Sequence, residues 1–140
     1  MNGPRRVLFI CTHNSARSQM AEGLLRALGG GRFEAASAGT EARGVHPFAI
    51  QAMGEVGIDI AQHESKTLEG YVGEPFDLVI TVCDDAAEAC PIFPNARERR
   101  HWSFPDPSRV EGSDAERFAA FTRVRDAIRE RIERVLLSAF

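Results

Sequence analysis

Cys11 and Arg17, six positions apart, are the side chains around which chemistry can be built. They bracket Cys11-Thr12-His13-Asn14-Ser15-Ala16-Arg17-Ser18, which follows a short apolar run, Val7-Leu8-Phe9-Ile10, and precedes a helix-patterned run, Ser18 to Leu28. A strand, a tight loop and a helix N-terminus in that order turn backbone N–H groups and the positive end of the helix dipole toward one point, a seat for a tetrahedral anion. The same field favours a thiolate at Cys11, the nucleophilic form. Arg17 is planar and always charged, and it holds two anion oxygens at once. Thr12, His13, Asn14, Ser15, Ala16, Arg17 and Ser18 are therefore the expected oxyanion loop, with Ser18 placed to hydrogen-bond the sulfur. The loop has no Gly, and Asn14 is its residue best able to take a left-handed conformation. The plainer account is that Cys11 is a small buried hydrophobe and His13 an exposed loop residue without a special role.

A second group is Cys83-Asp84-Asp85-Ala86-Ala87-Glu88-Ala89-Cys90-Pro91. Neither a Cys-x2–4-Cys spacing nor paired His is present, which argues against zinc. A redox pair is the chemical alternative to two unrelated cysteines. Asp84 and Asp85 suit a helix start and Pro91 its end. Seven helical residues separate two Cα atoms by about 10 Å, whereas a disulfide needs no more than about 7 Å. Joining Cys83 to Cys90 thus requires this segment to unwind, and it is expected to be helical when reduced and not when oxidised.

The elements that must carry these groups alternate in type. Arg5–Ile10 reads as a first strand, Phe33–Ser37 as a second, the continuous apolar run Phe76–Val82 as a third, and Arg99–Phe104 as a fourth. Helices are expected over Ser18–Leu28, stopped by Gly29-Gly30-Gly31, and from Pro47 to about Val56. A further helix opens at the capping box Ser113-x-x-Glu116, with Phe118, Phe121, Ile128, Ile132 and Val135 facing inward. Ile58–Ser65 reads as a loop and Thr67–Tyr71 as a short helix. The pattern predicts an α/β fold, a four-stranded parallel sheet flanked by helices on both faces, with ligands bound beyond the carboxyl ends of the strands. Cys11, Cys83 and the loop containing Asp106 all fall at that edge. If the first and third strands are neighbours, their ends lie about 5 Å apart and the first two sulfurs can meet.

The chain has 140 residues, enough for one domain with a real core. A net charge of −3 argues against general nucleic-acid or membrane binding. The apolar run after Arg6 is too short for a signal peptide, so a cytoplasmic setting is expected. There, three cysteines are not a structural disulfide framework. Lys66 is the only Lys.

Taken together, Cys11–Glu22, Ser37-Ala38-Gly39, Gly57-Ile58-Asp59, Cys83 to Cys90-Pro91 and His101-Trp102-Ser103-Phe104-Pro105-Asp106-Pro107 resemble the thioredoxin-coupled arsenate reductases of the low-molecular-weight tyrosine phosphatase fold. The resemblance implies that Cys11 attacks arsenate while Asp106 acts as general acid; a plain Asp-Pro turn is the bland account of Asp106. It implies a relay from Cys11 to Cys83 to Cys90, with the last disulfide reduced by thioredoxin and no cofactor or metal taking part. Phosphate or sulfate would compete for the loop, weak phosphatase side activity would persist, and a monomer would suffice.

Some relatives bind potassium with residues that match Asn14, Ser37 and 64–66. Lys66 brings a cation where those relatives place a carboxylate, so it is expected to stand in for the ion. The competing reading is a low-molecular-weight protein tyrosine phosphatase, which uses Cys11, Arg17 and Asp106 but has no need of Cys83 or Cys90. Two others are a reductase served by a small thiol, which needs only Cys11, and an arsenite sensor, which needs neither Arg17 nor Asp106.

Overall fold

The apolar run that ends at Cys11 is the middle of a sheet. The structure, a computed structural model, describes residues 3–83, 93 and 96–138. Its four parallel strands are β1 (Arg5–Cys11), β2 (Phe33–Gly39), β3 (Phe76–Thr81) and β4 (Ala96–His101), in the order β2-β1-β3-β4. With a strand on each side, β1 buries Val7, Leu8, Phe9 and Ile10 completely. Each such side chain contributes about 1.5–3 kcal/mol by leaving water. The pleat sends Val7, Phe9 and Cys11 to one face and Leu8 and Ile10 to the other.

Helices α1 (Arg17–Gly29), α2 (Pro47–Glu55) and α3 (Asp114–Arg131) supply Met20, Leu24, Met53, Phe121 and Ile128 to the first face. Among the described residues, Phe93 and the short 3₁₀ turn Leu68–Tyr71 cover the second. Local signals account for the helix ends. Gly30 closes α1 at φ 56°, Pro47 is the first residue of α2, and Ser113 and Glu116 form the capping box that opens α3.

Two departures from the sequence expectation go beyond a residue or two at an element's end. The fourth strand is Ala96–His101, three residues earlier than Arg99–Phe104. It is an edge strand paired only with β3, and its ARERRH sequence is largely exposed, so no apolar run marks it. The aromatic residues that drew the strand onward instead leave it: Trp102 N–H donates to Thr81 O at 2.8 Å, and the indole packs 6.2 Å from the Phe9 ring centre. At the other end, Ile132–Leu137 is a π-helical turn that continues α3. That wider turn brings Leu136 fully into the core beside Val135, which packs against it half-buried. Phe118 is likewise half-buried, edge-on to Phe48 at 5.9 Å.

Candidate functional site

The loop from Cys11 to α1 is built around Asn14, the one described residue other than glycine with positive φ, at 47°. Asn14 is fully buried. Its Nδ2 donates to Ser18 Oγ (2.8 Å) and Ser37 Oγ (2.9 Å), and its Oδ1 accepts from Gln19 Nε2 (2.9 Å) and Lys66 N–H (2.7 Å). The loop's carbonyls are caught from outside. Thr12 O, His13 O and Ser15 O accept the N–H groups of Glu41, Arg43 and His46 at 3.0, 3.2 and 3.0 Å. Gly39 makes that approach feasible, because a Cβ there would sit 2.7 Å from Thr12 O and 2.8 Å from Asn14 N. Those carbonyls are engaged outward, and no side chain caps α1 at Ala16.

The direction of each hydrogen bond around the sulfur follows from one end. The buried Glu22 carboxylate accepts the Ser37 O–H at 2.6 Å. Ser37 and Ser18 each take one Asn14 Nδ2 proton, and the Ser18 O–H stays available to donate to Cys11 Sγ, 2.8 Å away, when the sulfur is a thiolate. Arg26 Nη1 pairs with the far Glu22 oxygen at 2.8 Å. Gln19, Glu22 and His63 belong to this network and were not singled out by their sequence pattern, since each also fits an ordinary helix or loop position.

Arg17 is buried and reaches across to the loop after β4. Its Nη1 donates to Phe104 O at 3.2 Å, and its Nη2 lies 3.7 Å from Asp106 Oδ2. Asp106 caps a 3₁₀ turn (Pro107–Arg109), with Oδ1 accepting from Ser108 N (3.0 Å) and Ser108 Oγ (2.7 Å). The other oxygen faces Arg17 and the exposed Arg109, whose Nε is 3.9 Å away. A cavity of about 260 Å³ is lined by Cys11, His13, Ser15, Ala16, Arg17 and Asp106, joined by Arg43, His46 and Ser108. The thiol, the guanidinium and the carboxyl thus share one pocket. Sequence reasoning missed its outer wall; the signal available was His46 at the capping position just before Pro47.

Cys83 follows β3 and is fully buried in the same core cluster as Cys11. Val82 N–H donates to Ile10 O at 2.8 Å, so the ends of β1 and β3 are joined where the two cysteines leave the sheet. Cys83 is disulfide-bonded, whereas Cys11 is a free thiol. Cys90 and the helix expected over 84–90 lie outside the described residues.

Residues 6–139 match the family model for low molecular weight phosphotyrosine protein phosphatase. The chain belongs to that family. Its relatives within the low molecular weight phosphatase family include proteins named arsenate reductase. A protein of Halalkalibacterium halodurans named arsenate reductase is 48% identical over 127 residues, 91% of each chain. An arsenate reductase solved in the oxidized state superposes with a TM-score of 0.80 at 34% identity, covering 96% of this chain and 98% of its own. A thioredoxin-dependent arsenate reductase of Corynebacterium glutamicum is 30% identical, with a TM-score of 0.66, covering 98% of this chain and 64% of its own.

Two histidines give this family member a pH signature. Burial first, and then the Arg117 charge, push His46 below its ordinary 6.5, with Asp106 opposing. Burial does the same to His63 against the pull of Glu22. Between the lowered folded values and 6.5, the unfolded chain binds more protons than the folded one, so stability is present above 6.5 and is lost as pH falls below it. The urea midpoint is expected to decline from pH 7.5 to pH 5.5. A midpoint that holds level over that span would refute the expectation.

Proposed function

We propose that this protein reduces arsenate to arsenite and is returned to its starting state by thioredoxin. Arsenate sits on the Cys11–Ser18 loop, clamped by Arg17. The Cys11 thiolate attacks arsenic, and Asp106 protonates the oxygen that leaves as water. The Cys83 thiolate then attacks Cys11 Sγ. A sulfur–sulfur bond forms, the sulfur–arsenic bond breaks, and its electron pair goes to arsenic, which departs as arsenite. Cys90 as thiolate next attacks Cys83, releasing Cys11 as a thiolate and leaving a disulfide on Cys83 for thioredoxin to reduce with two electrons.

The observation that carries this reading is the pairing of a disulfide on Cys83 with a free Cys11 at the ends of adjacent strands. That is the pattern expected once oxidation has moved one step outward from the pocket. A hydrolase needs only the inner constellation, so Cys83 decides between the two chemistries; slow hydrolysis of phosphate esters remains as a side activity. Phosphate and sulfate, of the same shape as arsenate, compete for the loop. One chain supplies every group, so the working unit is a monomer, and a cytoplasmic setting keeps its thiols reduced. The deciding experiment is arsenate-dependent NADPH oxidation with thioredoxin and its reductase supplied. No arsenate-dependent consumption would overturn the proposal.

Lys66 is proposed as the fixed cation of the network behind the loop. Its N–H holds Asn14 Oδ1 and its Nζ lies 3.5 Å from Glu64 O, the carbonyl that also takes Gln19 Nε2 at 2.9 Å. Potassium is therefore expected to give no gain over sodium, in rate or thermal midpoint, at equal ionic strength. A potassium-specific increase in either would remove Lys66 from that role.

A further inference from the structure

His46 lines the cavity that holds Cys11, Arg17 and Asp106, and three elements fix its ring. Its backbone N–H donates to Ser15 O at 3.0 Å, which hangs the residue on the anion loop itself. Its Nδ1 accepts the Phe48 N–H at 3.0 Å. An accepting nitrogen carries no proton, so the ring's one proton is on Nε2. The ring lies against Phe121 of α3, 4.6 Å between centroids, and beside Phe48 of α2 at 5.6 Å. With Nδ1 turned to the α2 backbone and a ring face on Phe121, the edge left for the cavity is the one bearing Nε2. Burial and Arg117 hold the ring uncharged, so this arrangement persists at neutral pH.

We propose that His46 is a further binding residue of the pocket, an uncharged Nε2–H donor to an outer oxygen of the tetrahedral anion. As a statement about arsenate it rests on the reductase reading; as a statement about a tetrahedral anion it does not. Arg17 and the loop dipole supply the charge, and His46 supplies orientation. An anion with four equivalent corners needs unlike handles to decide which oxygen meets the acid. A neutral donor on one corner and the Asp106 carboxyl on another break that equivalence. A protonated imidazole would lose the Phe48 hydrogen bond and add a further full positive charge, tightening the anion without orienting it.

The test uses the reduced full chain, inorganic phosphate as the binding probe, and His46→Asn. Asparagine keeps a capping oxygen at the start of α2 and removes the Nε2–H. In the wild type, ¹⁵N spectra of the histidine rings are expected to show the Nε2-protonated tautomer of His46 before phosphate is added, and an Nε2 shift on saturation. In the variant, the phosphate Kd and the arsenate KM are expected to rise by the same factor, roughly tenfold, the size of one hydrogen bond to a charged oxygen. Its kcat should fall as well, by a smaller factor, since an anion without that handle presents the right oxygen to Asp106 less often. An Nδ1-protonated ring, an Nε2 signal indifferent to phosphate, or an unchanged Kd and KM would overturn the proposal. So would a variant that loses kcat and thermal midpoint without the matched rise in Kd and KM. If wild-type protein binds phosphate with the expected shift yet reduces no arsenate, the reductase reading fails and the anion-donor role of His46 stands.

Discussion

Cys83→Ser is expected to abolish arsenate turnover with thioredoxin, by a factor of roughly 10³ or more, while the phosphate Kd stays within about twofold of wild type. Cys11 can still attack arsenate in this variant, and the loop, Arg17 and Asp106 are untouched. Nothing then attacks Cys11 Sγ, so the adduct can only return to arsenate by hydrolysis. The fold should tolerate the change. Cys83 is fully buried with its sulfur 3.9 Å from Ile10 O, and a serine hydroxyl at that place can donate to the same carbonyl. Compared with the reduced wild type, the cost in stability is accordingly about 1–2 kcal/mol at most. Slow hydrolysis of an aryl phosphate should survive, which distinguishes a broken relay from a broken pocket. Arsenite release at the wild-type rate from Cys83→Ser would end the relay scheme.

Asn14→Ala should be the most damaging single change to stability. Four hydrogen bonds of 2.7–2.9 Å radiate from that one buried side chain to Ser18, Ser37, Gln19 and Lys66. Each partner left unsatisfied in the interior costs about 1–3 kcal/mol, and some recover by rearranging. Alanine at φ 47° adds strain of about 1–2 kcal/mol that asparagine offsets more easily. The sum expected in a denaturant titration is about 3–5 kcal/mol, at the upper end for a point mutation. Asn14→Gly removes the strain but not the lost hydrogen bonds, so it should fall between wild type and Asn14→Ala. Phosphate affinity should drop in both variants, since the Ser18 hydroxyl and the loop carbonyls lose their common anchor. A loss of less than about 1 kcal/mol in Asn14→Ala would show that the loop is held by its outer partners alone.

The parts of this fold that were legible in advance are those with a local physical cause. β1 was readable because four consecutive apolar residues fit only a strand covered on both faces, and α3 because Ser113 and Glu116 cap it reciprocally. The left-handed Asn14 was readable because no glycine stood in a loop that had to turn tightly. β4 was misplaced because an edge strand need not look apolar, and its limits come from pairing with β3. Val135 packs against the core as read but stays half-buried, and Leu136 was missed as a buried position because a π turn changes the helical repeat without a local signature. Within the site, the inner groups followed from spacing, whereas His46 and Arg43 reach the pocket from a segment whose own sequence reads as a loop and a helix start. Only the fold reveals that Ser15 and His46 meet.

The outward-facing carbonyls of the nucleophile loop have a consequence for how this molecule can vary. Because residues 39–46 grip Thr12, His13 and Ser15 from behind, the far side of the pocket acts as a tuning peg for the near side. Shifts at Gly39 or Glu41 would be transmitted to the proposed anion loop, although neither residue lines the cavity. Selectivity among tetrahedral oxyanions can therefore drift through substitutions that leave the reactive sulfur, its guanidinium and its acid untouched.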